Sequence, residues 1–282
     1  MFVIARDRAL IALTGPDRHS FLQGLVSNDV TRATAGRAIY AAFLTPQGKY
    51  LHDIFIASEG ERLLIDCEVA RRADLLKRLS IYKLRAKVLL ALADDLAVGL
   101  HFGAGALEAL GLAAEPGQAK VEADGVVYVD PRLAALGARA ILPAGRMPAE
   151  TGTPADYDRL RISLGVPDGS RDLQVEKAIL LENGFDELNA IDWNKGCYMG
   201  QELTARTRYR GLVRKRLMPV AIEGEAPAPG TPLLLGDKEA GEMRSAAGDI
   251  GLAMVRLEAL GQGALAAGAA KLSPRKPDWA KF

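Results

Sequence analysis

The chain has 282 residues, of which 49% are apolar and 25% charged, with 36 Lys and Arg against 35 Asp and Glu for a formal net charge of +1. That balance excludes wholesale disorder and a protein-wide electrostatic grip on nucleic acid or an acidic membrane. No apolar run reaches the roughly 20 residues of a spanning helix, and two cysteines cannot make a disulfide framework. The opening MFVIARDRALIAL lacks the long apolar core and small-residue cleavage site of a signal peptide. The expectation is a soluble, cytoplasmic protein without membrane contact.

In chain order, RALIALTG reads as a strand and PDRHSFLQGLV as a short helix with Pro16 near its start. AIYAAFLTPQGKYLHDIFIA reads as two strands around a turn made by Pro46, Gln47 and Gly48. ERLLIDCEV is a further strand, with Cys67 in an apolar setting, and Ala70 to Leu79 has helical spacing. Lys87 to Phe102 gives two strand-like runs broken at Asp94 and Asp95, whereas Gly103 to Gly152 reads as loop-heavy with short elements.

A helix is predicted from Thr153 as cap through TPADYDRLRISLG, with Tyr157, Leu160 and Leu164 as its apolar face. Glu223 to Pro232, with three Pro and two Gly, is the best linker or loop. Short β-like runs follow it and suggest a small β-domain, and PRKPDWAKF reads as a tail.

Two glycine patterns, at Gly103 and Gly261, imitate a dinucleotide fingerprint without a βαβ unit around them. There is no phosphate-loop motif, and no His or Cys pair has metal-ligand spacing, so no stably bound metal is expected.

The informative stretch is Lys195 to Glu202, KGCYMGQE. Two glycines frame Cys197, so the backbone can turn sharply and leave the thiol accessible. A helix starting after Gly200, with Glu202 and Arg206 at i, i+4, would set Cys197 near its positive end and two residues from Lys195. Both effects favour a reactive thiolate. The competing reading is a tight turn whose cysteine is merely small.

KGCYMGQELTAR, followed by RTRYRGLVRKRL, resembles the signature of the folate-binding YgfZ family, including its Iba57 (CAF17-type) iron–sulfur maturation branch. Upstream, Arg161, Gly165, Val166 and Pro167 resemble the family's R-x-x-x-G-[IV]-P segment, and FLQGLVSNDVT with the strand pair after it is also similar to the aminomethyltransferase of the glycine cleavage system. The resemblance implies an α+β fold: a GcvT-like cloverleaf of mixed α/β domains around a central folate cavity, with a C-terminal β-barrel. On this basis residues 1–215 form the folate-binding region, two interleaved subdomains with a boundary near 150, and residues 216–282 form the barrel.

It further implies tetrahydrofolate or a derivative as cofactor, with Asp53 beside the reactive nitrogens and Tyr40 against the pterin. The transferase's folate-facing Glu falls on Arg161, a departure that disfavours the same methylene chemistry. Gln201, Glu202 and Arg206 complete the expected cofactor-binding set, with Cys197 and Lys195 as the reactive pair. The implied function is an accessory factor for [4Fe–4S] assembly or repair, supporting client enzymes that include tRNA-modifying ones. A-type scaffold proteins are the expected partners, and Cys197 is a nucleophile, redox group or transient shared cluster ligand. The alternatives are a one-carbon aminomethyl transferase and a tRNA-binding factor. The latter rests on six cations between Arg206 and Arg216 around Tyr209, for which a solvated face or a folate-tail dock is the preferred reading.

Overall fold

The computed structural model describes residues 1–123, 125–211 and 213–282. The chain divides into two compact units, the first made of Met1–Pro46, Leu51–Pro154 and Leu188–Gln201, the second of Gln47–Tyr50, Ala155–Glu187 and Glu202–Phe282. Among the described residues no helix is long and apolar enough to cross a membrane.

The first unit contains two five-stranded sheets. Strands β1 (Phe2–Ile4), β2 (Arg8–Thr14), β3 (Ile39–Leu44), β4 (Tyr50–Glu59), β5 (Arg62–Glu68) and β6 (Leu89–Leu92) come first in the chain. After them come β7 (Leu96–His101), β8 (Ala119–Glu122), β9 (Gly125–Val129) and β10 (Ala138–Pro143). One sheet has the order β3-β4-β5-β2-β6 and the other β1-β7-β10-β9-β8. The stretch between 103 and 152 is, as expected, built of short elements joined by loops, but β9 is buried along its whole length and β10 along most of it. Strands so short and so enclosed carry no alternation to detect. Helices α1 (Arg18–Gln23) and α2 (Arg72–Tyr82) fall where the spacing places them, and α3 is a single turn at Ala106–Ala109.

The two sheets are joined through buried charge. Asp66 on β5 is fully buried and accepts from Arg8 Nε of β2 at 2.7 Å and from Arg139 Nη2 of β10 at 2.6 Å. Arg132 closes a second pair with Asp130 at 2.8 Å. Burial raises the Asp130 carboxyl, but Arg132 and then Arg139 outweigh it and hold the group below its ordinary value. The Phe55 ring lies among the three guanidinium groups, whose carbons stand 3.9 Å (Arg139), 4.9 Å (Arg132) and 5.4 Å (Arg8) from its centroid. Those distances suit cation–π attraction, which is strongest where water is excluded.

In the second unit, α4 (Pro154–Ser163) and α5 (Gly169–Asp172) precede a six-stranded closed barrel, and α6 (Gln201–Tyr209) starts on the last residue of the first unit. The barrel strands are β11 (Lys215–Glu223), β12 (Pro232–Leu235), β13 (Lys238–Ala247), β14 (Ile250–Arg256), β15 (Leu265–Ala267) and β16 (Ala270–Pro274), ordered β11-β14-β13-β12-β15-β16. Along β11, Met218, Val220 and Ile222 point into the barrel core, while Leu217 joins Leu252, Met254 and Ile162 of α4 on the outside. Both faces of β11 and β14 are thus covered.

Three expectations change here. The Pro- and Gly-rich stretch after Glu223 is the β11–β12 loop inside the barrel, not a linker before it. The buried face of α4 is Arg161 and Ile162, while Tyr157, Leu160 and Leu164 are half-buried. The last residues have no regular structure but are docked: Trp279 Nε1 donates to Leu164 O at 2.7 Å, and Arg275 Nη2 donates to Ser163 O at 2.7 Å. Gly165, at φ +77°, lets Pro277 pack where a Cβ would stand 2.8 Å from its ring.

Replacing Asp66 by Asn keeps the shape and removes the charge shared by two buried arginines. The expected cost is about 3–5 kcal/mol, the range for breaking a buried ion pair on one side. It is read from the shift in the denaturant midpoint at unchanged m; a loss below about 1 kcal/mol would show that the pair is not what joins the sheets.

Candidate functional site

The KGCYMGQE segment is built as a strap on the end of α1. The last carbonyls of a helix lack intrahelical partners and attract cations. Lys195 supplies one: its ammonium donates to Gln23 O and, at 2.7 Å, to Val26 O. Met199 N donates to Gly24 O at 3.0 Å, so the strap is tied on both sides of Cys197. The Tyr198 ring lies 5.0 Å from the Lys195 ammonium. Burial lowers Lys195 from 10.5 to about 8, against the pull of Asp29 and Asp192 in the other direction.

Between these ties the chain turns through Gly196 at φ +90° and Gly200 at φ +80°. A side chain at either position would be strained in that backbone region. Cys197 is exposed between them, and Cys67 is fully buried, where desolvation pushes its thiol up to about 12. Of the two thiols, Cys197 is the one open to a partner. Helix α6 starts at Gln201, four residues on, as the spacing predicts. Gln201 folds back so that its Oε1 accepts from Tyr198 N at 3.2 Å, which fixes the loop that carries the thiol. The hydrogen bonds of Lys195 go to the carbonyls of α1 rather than to the thiol, so Lys195 is a positioning residue in this arrangement.

Tyr40 and Asp53 are brought together. Tyr40 on β3 is fully buried and its hydroxyl donates to Asp53 Oδ2 of β4 at 2.9 Å, with Asp53 itself 2% exposed. Burial, and then the neighbouring carboxylate, push the Tyr40 phenol well above its ordinary value. Tyr40 therefore stays protonated and orients the Asp53 carboxylate. Its ring packs at a tilt of 34° and 4.9 Å on Phe55 and lies 5.5 Å from the Arg132 guanidinium.

A cavity of about 210 Å³ lies beside Tyr40, lined by residues that include Asn28, Tyr40, Asn189, Ile191, Arg32 and Arg37. Asn28 Nδ2 bridges Tyr40 O at 2.7 Å and Asn189 O at 2.8 Å, and Asn189, at φ +59°, holds Pro131 O at 3.0 Å. Sequence reasoning missed Asn28, Asn189, Arg132 and Gln23. The only local signal was an Asn type that tolerates the left-handed region.

Arg161, in the second unit, is 1% exposed and held by its own neighbours. Nε donates to Asp158 Oδ1 at 2.5 Å, Nη1 to Asp172 Oδ2 at 2.6 Å and to Val166 O, and Nη2 to Ser245 Oγ at 3.3 Å. Burial lowers its pKa but Asp172, Asp168 and Asp158 together raise it, so the cation is permanent. Glu202 and Arg206 pair with each other on α6 and are largely exposed. Tyr209, further along the same helix, is 78% exposed.

Residues 214–282 match the family model described as the CAF17 C-terminal beta-barrel domain. The chain is 34% identical to the mitochondrial iron–sulfur cluster assembly factor IBA57 of Mus musculus, over 90% of this chain and 76% of that protein. It is also 34% identical to the Homo sapiens protein of the same name, over 96% of this chain and 83% of that protein. Its fold matches the glycine cleavage system aminomethyltransferase T from Bartonella henselae with a TM-score of 0.79, at 14% identity, over 99% of this chain and 86% of that one. These relatives are mitochondrial by name, which overturns the cytoplasmic placement expected from composition; composition and charge carry no address. The chain belongs to the IBA57 family of iron–sulfur cluster assembly factors, on a mixed α/β fold of the aminomethyltransferase kind with a closed C-terminal barrel.

Proposed function

We propose that this protein is a tetrahydrofolate-binding accessory factor for the assembly or repair of [4Fe–4S] clusters, acting through Cys197 with A-type scaffold proteins. The observation that carries the proposal is the exposed thiol on a glycine-framed strap tied to α1 at Lys195 and Met199. One thiolate supplies one cluster ligand, and among the described residues no group of three or more His, Cys, Asp or Glu can hold a metal ion. The cluster is therefore a cargo whose other ligands come from the partner. Client enzymes, tRNA-modifying ones among them, receive it afterwards.

The donor set suits a reduced pterin. Asp53, oriented by the bond from Tyr40, is a carboxylate, a group that matches the N–H edge of that ring. Tyr40, Ile39 and Ile191 in the cavity lining supply apolar contact. At about 210 Å³ the cavity is below the roughly 300–1,000 Å³ of a drug-sized site, so it suits a ring rather than a whole folate. When bound, the folate would supply one-carbon or redox chemistry; Asp53 would orient its nitrogens, and Tyr40 would hold Asp53. Arg161 would meet folate only by giving up bonds to Asp158 and Asp172, so its part in the proposal is to organise its unit. Gln201 serves by fixing the thiol loop, and Glu202 and Arg206 by steadying the first turns of α6.

Two outcomes follow. In cells lacking their own factor, wild type is expected to restore [4Fe–4S] enzyme activity, and Cys197→Ala to leave it near the level of the deletion. Full restoration by Cys197→Ala would remove the thiol from the function. In a titration followed by intrinsic fluorescence, Asp53→Asn is expected to weaken tetrahydrofolate binding about tenfold or more, the cost of a lost charged hydrogen bond. Equal affinity in a variant of unchanged melting temperature would take Asp53 out of the site.

A further inference from the structure

Strand β6 ends its sheet: it pairs with β2 on one side and, among the described residues, has no strand on the other. Its leucines are poorly covered, Leu89 being 61% exposed and Leu92 46%. An exposed, leucine-rich edge invites another strand, and proteins usually blunt such edges with charge, proline or a bulge. Here the charge is divided between the two ends. Arg85 and Lys87 precede the strand, both exposed, and the Asp94–Asp95 turn follows it, also exposed. Neither Arg85 nor Lys87 has an ion-pair partner among the described residues, and Asp94 is paired with Arg72.

Backbone geometry fixes how a partner would pair. Ala93 N donates to Leu10 O, and the β2 register sets Ala12 opposite Ala91 and Thr14 opposite Leu89. In an antiparallel ladder the bonding residues alternate. Leu89 and Ala91 therefore spend their backbone groups on β2, and Leu90 and Leu92 turn theirs outward. Two-fold pairing of identical antiparallel edges preserves the sheet faces, so the paired residue numbers must add to an even sum. The pairing centred on Ala91 meets that condition. It puts Leu90 of each copy opposite Leu92 of the other, all four residues with outward groups, for four backbone hydrogen bonds. It also brings Lys87 of each copy to the Asp94–Asp95 turn of the other. A pairing centred on Leu90 would instead need Val88, whose N–H already donates to Ala86 O.

We propose that β6 is a self-association edge, through which two copies of this chain join their sheets antiparallel and two-fold about Ala91. The opposite charges at the two strand ends select this register and this occupant, since an edge flanked by a single sign would repel its own copy. A bilayer does not fit the edge, because hydrocarbon leaves the outward groups of Leu90 and Leu92 without partners. Four residues a side make a small contact, so the dimer is reversible and governed by concentration.

Sedimentation velocity on the full chain, from low micromolar to near-millimolar concentration, tests this. Wild type is expected to shift from monomer to dimer over that range. Leu92→Pro removes an outward N–H without touching the β2 ladder, a change edge strands tolerate. By symmetry it deletes two of the four bonds, so the dimer should weaken about tenfold or more. Lys87→Asp should weaken it as well, and adding Asp95→Lys should restore it. A chain that stays monomeric throughout, that binds anionic vesicles or an unrelated extended peptide at this edge instead, or whose dimer is indifferent to Leu92→Pro would overturn the proposal.

Discussion

Asp66 is the residue on which the first unit turns. It reaches across from one sheet and accepts guanidinium donors from both, Arg8 beside it and Arg139 from the second sheet. A buried carboxylate is costly unless paired, and one pair here would leave the second arginine exposed to the same penalty. Shared between two cations, with Asp130 and Arg132 alongside, the charges are compensated within one dry layer. Phe55 fills the space among the three arginines, and Tyr40 packs on Phe55. The chain of contacts thus runs from Asp66 to the Tyr40–Asp53 pair, which is why a carboxylate and a phenol sit buried with fixed orientation, Tyr40 in the cavity lining.

The thiol obeys a different logic. A nucleophile or shared ligand must meet a partner, so it belongs on a surface, yet its position has to be definite. Lys195 resolves this by putting its ammonium on the carbonyl end of α1, where the helix has acceptors to spare. Met199 and Gln201 fix the far side of the turn, and the two glycines supply the backbone conformation between. The Tyr40–Asp53 region is accordingly enclosed, and Cys197 is displayed. The aminomethyltransferase fold supplies a scaffold for the first of these, and the KGCY strap adds the second.

Much of this was legible in the sequence. RALIALTG and the strand pair around Pro46 to Gly48 fell where β2, β3 and β4 are, because alternation and turn chemistry are local signals. The glycine turn around Cys197 and the helix after it were legible too, but the tie of Lys195 to the end of α1 was not. What failed were the features decided by partners far along the chain. Arg139 lies 73 residues from Asp66, and nothing in the Ala-rich stretch around it announces a buried cation. Arg161 lies outside the face read from Tyr157, Leu160 and Leu164 and is nonetheless the buried side of α4, because Asp158 and Asp172 meet it there. The final segment looked like a tail since proline forbids regular structure, but docking through Trp279 requires none.

The central claim is that Cys197 contributes a ligand to a cluster held jointly with a partner. Anaerobic reconstitution of iron and sulfide on a mixture of this chain and an A-type scaffold protein, with iron assayed in the co-eluting complex, addresses it most directly. The account predicts a cluster-bearing complex with wild type and with Cys67→Ser, and its loss with Cys197→Ser. A complex of equal iron content formed by Cys197→Ser would contradict it.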